Sequence, residues 1–149
     1  MADIGVVDIF SGPGGLGEGF AEFKPVGAKD DEGGKPFKLV LSVEKDASAH
    51  KTLLLRSFLR KFDNKPRDYY DHLNGGIPMP DWEKLYPKEW SQAVDEVWHS
   101  ELGQEGTWPK LQARISEIKE QYDGRTVLLG GPPCQAYSLV GRPRNASKV

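Results

Sequence analysis

The stretch that most constrains the fold is "IGVVDIFSGPGGLGEGF", residues 4–20. A β-branched apolar run stops abruptly, and glycines follow at 12, 14, 15, 17 and 19. The run Ile4–Phe10 lacks the apolar–polar alternation of a half-exposed strand, so it reads as a parallel strand buried on both faces. Glycine adopts positive φ without penalty and lets other groups approach the backbone closely, so the break reads as a tight turn. "LGEGFAEF" then restarts as a helix, with Leu16, Phe20 and Phe23 spaced to share one face. Strand, glycine turn and helix together make the first half of a βαβ unit.

The pattern recurs downstream. "FKLVLSVE", residues 37–44, is a second strand, reached through the polar loop 29–36. "ASAHKTLLLRSFLRKF" is a helix with Asp46 as its N-cap. Its apolar face carries Leu54, Phe58 and Phe62 at four-residue spacing, joined by Leu55 and Leu59. Residues 63–86 hold Pro66, Gly75, Gly76, Pro78 and Pro80 and read as an irregular excursion. Pro87 suits the first turn of a helix. Its stripe would be Trp90, Val94, Val97, Trp98 and Leu102, with Gly103 as the stop. Thr107 would cap a further helix, with Pro109 in its first turn, a stripe of Leu111, Ile115, Ile118 and Tyr122, and Gly124 at its end. "RTVLLGG", 125–131, is the third strand. Strands alternating with helices predict an α/β fold: a partial parallel sheet with flanking helices. The chain has no internal repeat and no low-complexity tract.

At 149 residues and 38% hydrophobic content, one domain with a real core is expected. A net charge of -2 does not by itself argue for nucleic acid. A single cysteine excludes an internal disulfide and any multi-cysteine metal site, and an unpaired thiol fits a reducing compartment. No apolar run approaches the ~20 residues that span a bilayer. "MADIGVVDIF" lacks the regions of a signal peptide, so a soluble cytoplasmic protein with no membrane association is expected. His50, His72 and His99 are scattered and predict no metal site. Trp82, Trp90, Trp98 and Trp108 would suit base stacking, but the helical spacing of Trp90 and Trp98 favours core packing.

Gly12, Gly14 and Gly17 satisfy G-x-G-x-x-G between a strand and a helix, the context of a nucleotide-like cofactor loop. Glu44 ends the second strand, where an acid accepts hydrogen bonds from ribose hydroxyls in doubly wound sheets. The competing reading is a tight turn with a surface glutamate.

Cys134 lies in "GGPPCQAYS", just past the C-terminal end of the third predicted strand. Ligands bind at that edge of open α/β sheets, so the glycine loop, Glu44 and Cys134 should converge on one crevice. Pro132 and Pro133 fix φ and remove two N–H groups, so the segment cannot continue the ladder and holds the thiol at a set angle. The thiolate, not the thiol, would be the nucleophile. A buried structural cysteine is the alternative, and the Gly-Gly-Pro-Pro flank weighs against it.

"DIFSGPGGLGEGF", "SVE" and "GGPPCQAYS" together resemble the cofactor loop, ribose acid and catalytic loop of DNA (cytosine-5) methyltransferases. The resemblance covers about residues 3–24, 38–62 and 124–143. It implies a Rossmann-like class I methyltransferase fold and S-adenosylmethionine as cofactor. Phe10, Ser11, Gly12, Gly14, Gly15 and Leu16 would line its methionine end, with Pro132 also at the cofactor, and Glu44 would hold its ribose. Cys134 would add to C6 of a cytosine flipped out of double-stranded DNA. Pro133 would shape the pocket, Gln135 and Ser138 would face the DNA, and Arg142 and Arg144 would contact phosphates in a closing loop. A restriction-modification setting or a solitary enzyme would both fit.

The chain departs from the family pattern in two places. The family places an acid after its third strand, against the adenine amino group; Glu101 in "SELG" is the nearest counterpart. Residues 63–123 carry no family signature and read as a helical insertion. The family's Glu-Asn-Val motif, Gln-x-Arg-type motif and target-recognition domain do not follow Val149. The expectation is therefore an N-terminal portion of the catalytic domain, inactive alone and completed by a C-terminal half that carries the target-recognition domain. The strand at 125–131 would then present an apolar edge prone to self-association. The remaining alternatives are a nicotinamide-dependent oxidoreductase built on the same glycine motif, and a cofactor-binding chain without catalysis.

Overall fold

The computed structural model describes residues 3–26 and 34–132. Its elements run β1 (Ile4–Ile9), α1 (Gly15–Glu22), β2 (Phe37–Glu44), α2 (Ala47–Arg60), α3 (Arg67–Leu73), α4 (Trp82–Leu85), α5 (Pro87–Glu96), β3 (Val97–His99), α6 (Thr107–Gln121) and β4 (Thr126–Gly130). The strands form one four-stranded sheet in the order β3-β2-β1-β4, and every pairing is parallel. This is an α/β architecture, a parallel sheet flanked by helices, consistent with a Rossmann-like methyltransferase fold.

The order follows from the chain path. From β1 the chain steps outward through β2 to β3, then returns through α6 to add β4 on the other side of β1. The direction of winding reverses between β1 and β4. In open parallel sheets such a reversal leaves a crevice at the carboxyl ends of the strands, because the connections leave in opposite directions.

Alternation along the strands divides the core. Val7 pairs with Leu41 and Ile9 with Val43 across β1 and β2. Val7, Leu41 and Val43 pack with Leu111 and Ile118 of α6, and Ile9, Trp98, Ile115 and Tyr122 extend that cluster. Full burial of each aliphatic side chain contributes about 1.5–3 kcal/mol. The stripe expected on residues 111–122 is therefore the face α6 buries. Tyr122 lies so close over Gly5 that a Cβ there would meet its ring at 2.9 Å. The chain turns out of α6 through Asp123 and Gly124, both at positive φ.

A second cluster forms on α2. Phe58 is fully buried, and its ring lies 5.1 Å from Trp82, 5.1 Å from Phe62 and 5.6 Å from Trp90. Residues 63–96 are thus a helical layer with its own aromatic core, rather than an irregular excursion. Asp46 caps α2, its Oδ1 accepting from the N–H groups of Ser48 at 3.0 Å and Ala49 at 2.8 Å. Buried Glu96 accepts from both Arg60 and Lys61, and Arg60 also pairs with Glu18, so α1, α2 and α5 are tied by one charged network.

Three sequence expectations are corrected. The stripe read through Val97, Trp98 and Leu102 is not one helix: α5 ends at Glu96 and Val97–His99 pair with Ser42–Glu44 as β3. Competition between helix and sheet is decided there by the free edge of β2. "RTVLLGG" is accordingly the fourth strand. In α1 the buried residue is Gly17, while Leu16 and Phe23 are about half exposed, because the helix presses its glycine against the sheet. Gly106, not Thr107, is the N-cap of α6, with φ +82°.

Candidate functional site

The glycine turn is built by hydrogen bonds from β2. Ser11 N–H donates to the carbonyl of Val43 at 3.1 Å. The Ser11 hydroxyl donates to the Asp8 carbonyl at 2.7 Å and accepts from the Val43 N–H at 3.2 Å. Ser11 is buried, so its side chain staples the ends of β1 and β2 together rather than facing a ligand. Phe10 and Gly12 both have φ +56°, and Gly14 has φ +89°. Positive φ costs a residue with a Cβ about 1–2 kcal/mol, and strain of that kind concentrates at functional sites. The Phe10 ring remains 38% exposed.

Each glycine has a separate reason. A Cβ at Gly14 would lie 2.7 Å from Leu53 of α2. One at Gly17 would lie 3.0 Å from Oδ2 of Asp8 and 3.0 Å from Leu39. Gly12 and Gly15 face open space, with nothing within 4 Å of an added Cβ. The first pair lets α1 pack close; the second leaves backbone accessible.

Glu44 joins the two loops. Its Oε2 accepts from the Gly12 N–H at 2.7 Å, and its Oε1 accepts from the N–H groups of Lys45 at 2.9 Å and Asp46 at 2.7 Å. Around it lies a crevice of about 300 Å³, lined by Phe10, Gly12, Val43, Glu44, Lys45, Ser100, Glu101, Leu102 and Gly131. The crevice sits at the carboxyl ends of the strands, where the winding reversal leaves room. Glu101 lies just beyond β3, and Lys45 Nζ pairs with its Oε1 at 3.1 Å. A second hollow, of about 490 Å³, lies alongside and shares Lys45, Ser100 and Glu101.

The structure thus brings Phe10, Gly12, Glu44 and Glu101 to one crevice. Gly14 is buried against Leu53 of α2, and Gly15 and Leu16 lie in the exposed first turn of α1. Pro132 is exposed at the end of the described residues. Pro133, Cys134, Gln135, Ser138, Arg142 and Arg144 lie outside the described residues.

Asp8 escaped the sequence reading. It is 1% exposed, directly beneath Gly17, and its Oδ2 has no hydrogen-bond partner among the described residues. Burial pushes its carboxyl above 3.8, opposed by the Gly17 backbone and Ser11, with Glu44 adding a smaller upward push. An acid inside "VVDIF" was the available signal. The His50 and His99 rings, scattered in sequence, stack at 4.7 Å beside the crevice, and burial followed by His99 lowers the pKa of His50. Among the described residues no group of three His, Cys, Asp or Glu could hold a metal, and no helix is long and apolar enough to cross a membrane.

The chain is similar to the Type II methyltransferase M.Bpa9945I of Bacillus paralicheniformis, at 32% identity over 161 aligned positions and 97% of this chain. That similarity supports a methyltransferase family. The chain spans about a third of the relative's length, 34%. No family model and no solved structure matches the chain.

Proposed function

We propose that this chain carries the cofactor site and the nucleophile of a DNA (cytosine-5) methyltransferase. The observation that supports the reading is that β4 ends, at Gly130, on the same sheet edge as the glycine turn and Glu44. The segment that contains Cys134 starts where β4 ends, and a Cβ at Gly131 would lie 4.0 Å from the Phe10 carbonyl. Cys134 follows Gly131 by three residues, which span at most about 11 Å of extended chain. That chain length bounds how far Cys134 can lie from Gly131.

The residues present fit S-adenosylmethionine. Gly12 and Gly15 leave backbone open where a Cβ would intrude, and Glu44 supplies an acceptor for a ribose hydroxyl. Phe10 offers an exposed ring at the crevice mouth, and Glu101 an acceptor for an exocyclic amine. The cofactor supplies an electrophilic methyl group. The similarity to a Type II methyltransferase favours this reading over a nicotinamide-dependent one and points to DNA as the substrate.

Cys134 would act as a thiolate. Its Sγ forms a bond to cytosine C6, and the C5–C6 π electrons make C5 nucleophilic. C5 would then be the acceptor for the methyl group that the cofactor supplies. Loss of the C5 proton to a base then restores the C5–C6 double bond and expels the thiolate. The cytosine must leave the base stack for Sγ to approach C6.

The test is covalent trapping with the full-length protein that carries residues 1–149. Random-sequence duplex containing 5-fluorocytosine, with S-adenosylmethionine, should give a denaturation-stable adduct, because fluorine at C5 blocks the elimination. Cys134→Ser should give none. An adduct on both proteins, or on neither, rejects Cys134 as the nucleophile.

A further inference from the structure

We propose that His50 and His99 are positioning residues for one wall of the crevice: as a neutral stacked pair they clamp the turn after β3 against α2, and charging the pair loosens that turn. The clamp stands on geometry; that the wall it holds closes on a cofactor rests on the reading above. β3 is three residues long and lies at the edge of the sheet. The chain that leaves it, Ser100–Leu102, lines the crevice opposite Phe10 and Gly12. Leu102 anchors the far side of this turn on the core. At the near side, Ser100 N–H donates to the Glu44 carbonyl at 3.0 Å, and His99 Nε2 donates to the Lys45 carbonyl at 3.0 Å. The Lys45–Glu101 pair is exposed and adds little. The remaining contact crosses to α2: the His99 ring stacks on His50 with centroids 4.7 Å apart and planes at 29°.

The two rings are not equivalent. His99 is exposed, whereas His50 is half-buried and its Nε2 is sealed from solvent with no hydrogen-bond partner among the described residues. A proton on His50 would thus be a poorly solvated charge facing a second imidazole at stacking distance. Burial, and after it His99, lowers the pKa of His50 from 6.5, and the Val97 backbone and Glu44 oppose this more weakly. When the turn opens, the ring meets water and charges as an ordinary imidazole, near pH ~6.5. The open form therefore binds more protons than the closed one. The clamp is at full strength above that pH and weakens as pH falls below it. Glu44, Lys45, Asp46 and Glu101 lie around the pair, and carboxylates and ammonium groups ordinarily titrate outside about pH 5–7. Asp8, raised by burial, works with the opposite sign, since acid favours the folded state there.

Amide hydrogen exchange on the 149-residue chain reads the clamp without a ligand. Corrected for the intrinsic pH dependence of exchange, protection of the Ser100 N–H relative to that of Val7, in central β1, should fall about 3-fold or more from pH 7 to pH 5. His50→Phe keeps a stacking ring that cannot titrate, and in it this fall should vanish. No fall in the wild type, or a fall that persists in His50→Phe, overturns the clamp. His99→Asn gives an independent reading, since asparagine keeps an N–H for the Lys45 carbonyl but removes the stacked ring. By NMR of the ring protons, His50 should titrate at higher pH in that variant than in the wild type; an unchanged titration overturns the pairing.

A final arm separates the clamp from the cofactor reading. S-adenosylhomocysteine, shown to bind by calorimetry and added at saturation, should raise Ser100 protection about 3-fold or more, because a ligand held by the closed wall opposes its opening. Binding with Ser100 unchanged overturns the assignment of this turn to the ligand's wall. No binding overturns the cofactor reading, while the exchange results still decide the clamp.

Discussion

An alanine methyl group at Gly17 would fall 3.0 Å from Oδ2 of Asp8, a carboxyl that is 1% exposed. Helix α1 can rest on the sheet at this point only because its contact residue has no side chain. Gly17→Ala should therefore destabilise the protein by about 1–3 kcal/mol through overpacking. Gly19, in the same helix, has nothing within 4 Å of an added Cβ. Gly19→Ala should stabilise by about 0.5–1 kcal/mol, because alanine is the better helix former. Urea titration of the two variants checks the opposite signs.

Asp8 gives a pH signature. Its folded pKa is raised from 3.8, chiefly by burial. Below 3.8 the carboxyl is protonated in both folded and unfolded states and does not affect their balance. As pH rises from 3.8 through the raised pKa, the unfolded state loses its proton first, and stability falls. Asp8→Asn removes this titration. The stability of the asparagine variant relative to wild type should increase between pH 3 and pH 7, as measured by thermal melts across that range. A constant difference would show that Asp8 titrates normally.

The aromatic layer on α2 should matter more to stability than the exposed aromatics. Phe58→Ala, at a fully buried position ringed by Trp82, Phe62 and Trp90, should cost about 3–5 kcal/mol. Trp108→Ala, at 56% exposure, should change stability by no more than about 0.5 kcal/mol. Chemical denaturation of both variants separates a core layer from a loosely attached insertion.

Gly12 separates folding from binding. Its added Cβ meets nothing within 4 Å, but its φ of +56° makes any side chain strained. Gly75, at φ +75° with equally open space, lies beyond α3 and away from the crevice. Gly12→Ala and Gly75→Ala should each cost about 1–2 kcal/mol in stability. Only Gly12→Ala should weaken S-adenosylhomocysteine, by about 10-fold or more, since only there does the methyl enter the crevice. Calorimetry on the two variants decides it.

Legibility of the fold varied with how much each residue depended on distant partners. Strands β1, β2 and β4 were readable because β-branched runs stop at glycine or acid within a few residues. β3 was not, because Val97 and Trp98 fit the apolar period of the preceding helix equally well. Their pairing with Ser42 and Val43 decides the matter, and no local signal carries it. Asp46 and Pro87 marked helix starts correctly because capping is local chemistry. Gly17 was misread because periodicity counts side chains and treats a glycine as a gap, even where the gap is the contact. At the site, Glu44 was legible as an acid at a strand end, but its bonds to Gly12, Lys45 and Asp46 were not. The histidine stack likewise needed the fold to bring residues 50 and 99 together.

A nucleoside-sized ligand is expected to lie across the ends of β1, β2 and β3. Ultraviolet cross-linking of methyl-tritiated S-adenosylmethionine to the chain, followed by peptide mapping, tests this most directly. Label competed by S-adenosylhomocysteine should fall in peptides that contain residues 10–15, 44–46 or 99–102. Competable label confined to residues 67–96, in the helical layer away from the crevice, would contradict it.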